Sequence, residues 1–269
     1  RVAEPSVVHT PTSSLRFINR GGSGGRHGYH LGRSSVRMEY DSISTVTVDS
    51  YSTLVDIGSQ EAVLEAHVDG LDDAEAVSQL WRAQYLQYSM IANDIDAYEP
   101  FWDLIGQGLR YALEANGYDV PEATRDEIRR TVYEDELSIF DDVEAGIERI
   151  TDAGYEVYIV SNGSPEMLDH LVAAAGLGDI VTDAISAHEV ETYKPDAAIY
   201  EHAADRTDTP IEEVLHASGG GMRDVWGAKH AGMSTAWVSR PGKELPTEEL
   251  GPEPDIVIED FHDLADRLE

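Results

Sequence analysis

The sequence contains no cysteine. That excludes thiolate catalysis, disulfides and cysteine-ligated zinc. Basic residues are scarce: 19 Lys and Arg stand against 52 Asp and Glu, for a formal net charge of −33. Only three of the basic residues are lysines, Lys194, Lys229 and Lys243. A surface of this sign repels nucleic acid and anionic lipid, so neither is expected as a partner. No apolar run reaches the roughly 18 residues of a membrane span. No charged n-region, apolar h-region and cleavage site open the chain, so a cytoplasmic location is the default expectation. The acidic residues are spread over everything after residue 40 rather than gathered in a tail. The pattern fits a strongly hydrated surface that stays soluble in high salt, as in a salt-loving organism.

What is present suffices for a core. The 269 residues are 41% hydrophobic, enough for one large domain or one domain with an inserted lobe. Residues 1–40 stand apart. They hold six arginines, two glutamates and a Gly/Ser/Arg/His run from Gly21 to Gly32, without helical or strand periodicity. They read as a disordered leader or upstream segment, with Met38 a plausible start. A basic RNA-binding arm is the rival reading, and no interleaved aromatics support it.

From residue 41 the chain acquires rhythm. Ile43 to Val48 reads as a buried strand, followed at once by Asp49 and a tight polar turn. Residues 59–137 repeat apolar residues at three and four, as in Ala74-Val77-Trp81-Tyr85-Tyr88 and Phe101-Ile105-Leu109-Leu113. They read as a helical lobe of about four helices. From Asp141 helix and strand alternate. Strands are expected at Glu156 to Val160, Ile180 to Ile185, Val214 to Ala217, Thr235 to Val238 and Ile256 to Ile258. Helices are expected at Val143 to Ala153, Pro165 to Ala175, Ala197 to Arg206, Val225 to Ala231 and Phe261 to Leu268. Repeated βα units mean an α/β fold with a parallel sheet and helices on both faces. The helical lobe is an insertion after the first strand, roofing its carboxyl end. The expected division is 41–58 and 138–269 as the core and 59–137 as the lobe.

In such sheets ligands gather beyond the carboxyl ends of the strands. Asp49 lies there, either as a nucleophile or metal ligand or, more blandly, as a helix N-cap. Three further loops should converge on it. Ser161-Asn162-Gly163 offers donors for a carboxylate or phosphate, or forms a simple turn. Lys194, one of three lysines, precedes a helix and suits an anionic substrate or an ionised carboxylate. Ser218 and Asp224 bracket Gly219-Gly220-Gly221, where backbone N–H groups can approach a ligand or the loop can simply be slack.

Asp49-x-x-x-Thr53, Ser161-Asn162, Lys194-Pro195 and Asp224, in this order, resemble the haloacid dehalogenase superfamily, over residues 43 to 268. Within it the chain is most similar to the L-2-haloacid dehalogenases. The resemblance implies a Rossmann-like core with an inserted helical cap. It also implies Asp49 as nucleophile, Arg82 as halide receptor after Trp81, and Lys194 and Ser218 orienting Asp49. Tyr200 would steady the site, and Asp224 would position water. Ser50, Tyr51, Ser161 and Asn162 would meet the substrate, with Tyr51, Leu86 and Phe101 as apolar wall. The phosphatases of the superfamily carry a second Asp two residues after the nucleophile, as general acid, and further acids near the fourth motif for magnesium. Here position 51 is Tyr51 and the glycine loop has no acid, so neither metal nor cofactor is expected. A halide leaves unprotonated and needs no such acid.

The match has departures. Gly220 stands where the dehalogenases have Asn, one extra residue precedes Asp224, Arg223 replaces a pocket Trp, Ala83 a Gln, and Ser52 a Gly. The rivals are a phosphatase of the same superfamily and a catalytically weak small-acid binding protein on the same scaffold. A 2-haloacid is the expected small-molecule partner, and dimers are common in the family. The surface charge makes its own prediction: the urea midpoint of unfolding should rise steeply with KCl. Full stability in salt-free buffer would overturn the salt-adapted reading.

Overall fold

The computed structural model describes residues 42–135, 137–240 and 251–269. The expected leader at 1–40 lies outside them. The first strand, β1 (Thr45–Val48), consists of four buried β-branched residues, which suit a strand covered on both faces. A two-residue strand β2 (Val55–Asp56) follows. Helices α1 (Gln60–His67), α2 (Ala74–Ile95), α3 (Phe101–Ala115) and α4 (Glu122–Arg130) come next, and then a π-helical turn over Thr131–Asp135. The chain returns through β3 (Ser138–Ile139), which pairs antiparallel with β2. The helical segment thus leaves and re-enters through one short ladder.

The rest alternates: α5 (Val143–Asp152), β4 (Glu156–Ser161), α6 (Pro165–Ala174), β5 (Asp183–Ser186), α7 (Ala197–Arg206), β6 (Val214–Ser218), α8 (Met222–Ala231), β7 (Ser234–Val238), β8 (Ile256–Ile258) and α9 (Phe261–Leu268). Six strands form a parallel sheet in the order β5-β4-β1-β6-β7-β8. β1 lies between β4 and β6, so the connections wind in opposite directions on its two sides. That reversal opens a crevice beyond its carboxyl end, where Asp49 sits. Among the described residues no helix is long and apolar enough to cross a membrane.

Two boundaries differ from the sequence reading. The strand expected at Ile180 to Ile185 runs from Asp183 to Ser186. Ile180 and Val181 instead pack, partly buried, against the core from the preceding turn, so apolar content there reports burial rather than strand. The helix expected from Val225 begins at Met222, which places Arg223 and Asp224 in its first turn.

Local chemistry sets the helix ends. The Asp73 carboxylate accepts from Ala76 N at 2.9 Å at the start of α2, and Asp260 accepts from Asp263 N at 2.8 Å at the start of α9. Such caps contribute roughly 0.5–2 kcal/mol each. The helical segment is held as one packed unit. Trp81 is fully buried, its Nε1 donates to Ile105 O at 2.8 Å, and Gly108 lets α3 close on the α2 backbone, since a Cβ there would lie 3.1 Å from Trp81 O. Asn93 ties α2 to the strand-end loops: Nδ2 donates to Tyr193 O at 2.7 Å and Oδ1 accepts from Tyr193 N at 3.0 Å.

Beneath the sheet α5 meets α9 at Gly146, where a Cβ would lie 2.5 Å from Phe261 Cβ and 2.9 Å from its carbonyl carbon. Backbone cannot yield as a side chain can. Gly146→Ala should therefore destabilise the fold by about 1–3 kcal/mol despite alanine's better helix propensity, read as a lowered urea midpoint in high KCl.

Candidate active site

Asp49 is delivered by the end of β1, whose ladder continues with Asp49 N donating to Ala217 O at 2.9 Å. The turn after it is wound tightly, with Leu54 N reaching back to Ser50 O at 2.7 Å. The winding brings Thr53 beneath the carboxylate, and Thr53 Oγ1 donates to Asp49 Oδ2 at 2.7 Å. The same hydroxyl accepts from Gly219 N at 2.9 Å, so the fourth loop is latched to the first. Arg240, buried and outside the sequence reading, holds the Thr53 carbonyl from Nε and Nη2 at 2.9 and 2.7 Å, and its Nη1 donates to Asp142 at 2.6 Å.

Lys194 arrives from the loop before α7 and lies between two carboxylates. Its Nζ is 3.1 Å from Asp49 Oδ1 and 2.9 Å from Asp224 Oδ2, with the lysine side chain 4% exposed and Asp49 13%. Burial alone would lower the Lys194 pKa, but Asp224 and Asp49 outweigh it and hold the ammonium above its usual value. Burial alone would raise Asp224. Lys194 and His216 instead hold it well below the usual carboxylate range. Tyr200 OH donates to Asp224 Oδ1 at 2.5 Å, and His216 Nε2 lies 3.0 Å from the same oxygen. With Nε2–H donating to Asp224, His216 Nδ1 is left to accept from the Thr47 hydroxyl at 2.9 Å. His216 and Thr47 are register partners on β6 and β1, a buried polar pair in the middle of the sheet.

The other expected residues fall around the same crevice. Ser50 Oγ and Ser161 Oγ are 2.6 Å apart, and Ser161 Oγ accepts from Gly163 N at 2.9 Å. Asn162 Oδ1 accepts from Lys194 N at 2.8 Å, which fixes the lysine's backbone. Arg82 crosses from α2, with Nη2 donating to Ser52 Oγ at 2.6 Å. Ser52 has φ 72, a left-handed conformation that costs a non-glycine residue about 1–2 kcal/mol. The serine there supplies an acceptor for Arg82 that glycine would lack.

Ser218 Oγ accepts from Gly220 N at 3.3 Å and so shapes the glycine loop; among the described residues no hydrogen bond joins it to Asp49. Thr53 and Lys194 hold the Asp49 carboxylate. Gly220 is pressed against the site, since a Cβ on it would lie 2.8 Å from Asp49 Oδ2 and 3.2 Å from Tyr51 O.

Asp49, Ser50, Arg82, Ser161, Asn162, Lys194 and Asp224 line one cavity of about 60 Å³, whereas Thr53, Tyr200 and Ser218 do not reach its lining. Asp49, Lys194 and Asp224 form its floor. Tyr51, Leu86 and Phe101 stand in its wall with Ile57, Tyr85 and Tyr133, which sequence reasoning passed over, and with Arg82 and Arg223. Tyr85 carried a signal only as part of a helical apolar stripe, which core packing explains equally well, and Tyr133 stood in no such stripe. Burial raises the Tyr51 and Tyr133 hydroxyls well above the usual tyrosine value. Both stay protonated and weakly polar. Among the described residues no three His, Asp or Glu side chains are grouped to hold a metal ion. The space between Asp49 and Asp224 is filled by the Lys194 ammonium.

The arrangement can therefore present one carboxylate to a small molecule against apolar walls, with guanidinium groups in the same lining. Comparison with known proteins agrees. Residues 43–232 match the family model described as haloacid dehalogenase-like hydrolase. The chain is 34% identical over 212 residues to (S)-2-haloacid dehalogenase 4A of Burkholderia cepacia, covering 79% of this chain and 89% of that one. It is 34% identical over 203 residues to (S)-2-haloacid dehalogenase 1 of Pseudomonas sp. strain CBS-3, covering 76% and 87%. The crystal structure of L-2-haloacid dehalogenase from Xanthobacter autotrophicus with chloropropionic acid covalently bound superposes with a TM-score of 0.74 at 28% identity, over 83% of this chain and 97% of that one. Sharing most of its length with these enzymes, this chain belongs to the haloacid dehalogenase-like hydrolases, in the branch formed by the (S)-2-haloacid dehalogenases.

Proposed function

We propose that the protein is a hydrolytic dehalogenase that converts L-2-haloalkanoic acids to 2-hydroxy acids and halide through an ester on Asp49. The observation that carries this reading is the placing of Asp49 and Arg82 in the lining of one small cavity with apolar walls, with Tyr51 where a phosphatase would need an acid. An Asp49 oxygen attacks C2 from behind, the carbon–halogen bond breaks with its electron pair leaving on the halide, and the carbon inverts. Arg82 stabilises the departing halide by charge. The apolar wall keeps the attacking carboxylate poorly hydrated and so more reactive. Lys194 and Thr53 hold it in line.

Water then attacks the Asp49 carbonyl carbon, the bond from that carbon to the ester oxygen breaks, one water proton passes to the departing oxygen and the other to solvent, and the 2-hydroxy acid leaves with its O–C2 bond intact and the Asp49 carboxylate restored. An ionised carboxylate has about four acceptor sites. Lys194, Tyr200 and His216 occupy three of those on Asp224, which leaves one to orient the water. Ser161, Ser50 and the backbone N–H groups of the first turn receive the substrate carboxylate. In this reading residues 41–58 and 138–269 are the catalytic core and 59–137 the cap. The paired β2 and β3 at the cap's two ends and the reach of Arg82, Leu86 and Phe101 into the cavity support the division. Met90, Ile91 and Ile95, exposed together on α2, suit association of two copies.

The test is halide release from L-2-chloropropionate in high KCl. Release should be unchanged by EDTA, abolished in Asp49→Asn and reduced at least about 100-fold in Arg82→Ala, since charge stabilisation of a leaving group contributes roughly 3 kcal/mol or more. Single turnover in oxygen-18 water should put protein oxygen, not solvent oxygen, into the first product. Solvent oxygen there would refute the ester.

The charge network also sets the pH range. The lowered Asp224 stabilises the fold above its ordinary value of 3.8, and that contribution is lost as pH falls through its depressed value. The raised Lys194 stabilises the fold up to its ordinary value of 10.5, and that contribution is lost as pH rises through its elevated one. The urea midpoint should therefore be insensitive to this network between about pH 5 and 10. Lys194→Met should lower it across that range and shrink its further fall on the acid side.

A further inference from the structure

Five formally charged side chains line the cavity: Asp49, Asp224, Lys194, Arg82 and Arg223. In a chain with 52 acidic against 19 basic residues, this lining reverses the balance to three cations against two anions. Four of the five are committed. Lys194 spans both carboxylates, and Arg82 is held by Ser52 opposite Asp49. Arg223 is half-buried and, among the described residues, has neither a hydrogen bond nor a carboxylate partner. A lone guanidinium in so acidic a chain is unusual in itself.

Its position makes it more so. Arg223 lies in the first turn of α8, whose N-cap Gly221 offers no side chain. The positive end of the helix dipole disfavours a cation there by roughly 0.3–1 kcal/mol. Beside it a Cβ on Gly221 would meet nothing within 4 Å, and Arg223 itself lines the cavity.

We propose that Arg223 is the counter-charge for the carboxylate of the substrate, and that it selects short monocarboxylates. The inference deepens the dehalogenase reading and rests on it for the reaction, though not for the binding. Charge balance supports it. With one monoanionic acid bound, the three cations match the two protein carboxylates and the substrate. After displacement Asp49 is a neutral ester, and the three cations match Asp224, the ester's free carboxylate and the halide. A diacid would leave one negative charge uncompensated in a buried site. Size agrees: about 60 Å³ at roughly 10–15 Å³ for each water-sized centre suits a two- or three-carbon 2-halo acid.

The test compares wild type with Arg223→Leu, Arg223→Gln and Arg223→Lys in high KCl, each checked for folding by circular dichroism. For L-2-chloropropionate, Leu and Gln should raise KM about 10- to 100-fold, the worth of a charge-assisted hydrogen bond, with kcat within about threefold. Lys should recover most of the loss. Binding of the product D-2-hydroxypropionate, measured by calorimetry without turnover, should weaken in parallel, while binding of its amide should not. If wild type released no halide yet bound the acid through Arg223, the dehalogenase reading would fall and this assignment would stand. Unchanged KM and product affinity in Arg223→Gln, or equal weakening toward the amide, would overturn it.

Discussion

The site depends on one buried ammonium shared by two carboxylates. Asp49 and Asp224 converge from the end of β1 and the start of α8, and the Lys194 ammonium lies between them, 3.1 and 2.9 Å from their oxygens, in a largely buried crevice. Removing one partner of such a group leaves an uncompensated buried charge, which costs several kcal/mol. The surrounding structure is arranged to keep that ammonium in place. Asn162 holds its backbone, Asn93 on α2 holds the residue before it, and Tyr200 and His216 fix the far carboxylate from α7 and β6. Asp49 is thus oriented by groups from several loops and elements at this end of the sheet.

The sheet explains why those groups meet. A reversal of winding direction at β1 leaves a crevice that several loops must border, and the helical segment joined at β2 and β3 brings Arg82, Leu86 and Phe101 over it. Reactivity is then a matter of contrast. The outer surface is overwhelmingly acidic, whereas the cavity carries surplus positive charge on apolar walls. An anionic ligand is repelled by the exterior and stabilised inside. Salt screens the first effect over about 8–10 Å or less and touches the enclosed second one little.

Much of this was legible in the amino-acid order. β1 and β4 announce themselves as β-branched or apolar runs, and α2 and α3 by their three-and-four spacing. Asp49, Lys194 and Asp224 stand out because each follows a strand in a chain with few lysines. What stayed hidden has a common cause, contacts between distant residues that no local pattern encodes. Ser218 could not be told from an Asp49 partner, because side-chain direction at a strand end depends on the loop beyond it. His216 and Thr47 looked like ordinary strand residues until register paired them. Arg240 gave no signal for its hold on the Thr53 carbonyl. β2 and β3, at two residues each, are too short to show alternation, and α8 begins early because a glycine rather than a capping side chain precedes it.

Gly220 shows what these long-range contacts mean for changing the protein. The backbone there lies so near that even a methyl group would sit 2.8 Å from an Asp49 carboxylate oxygen. A larger side chain placed on this loop without other change would be pushed into that carboxylate. Loop length and residue identity form a single unit of inheritance, to be exchanged together or left alone.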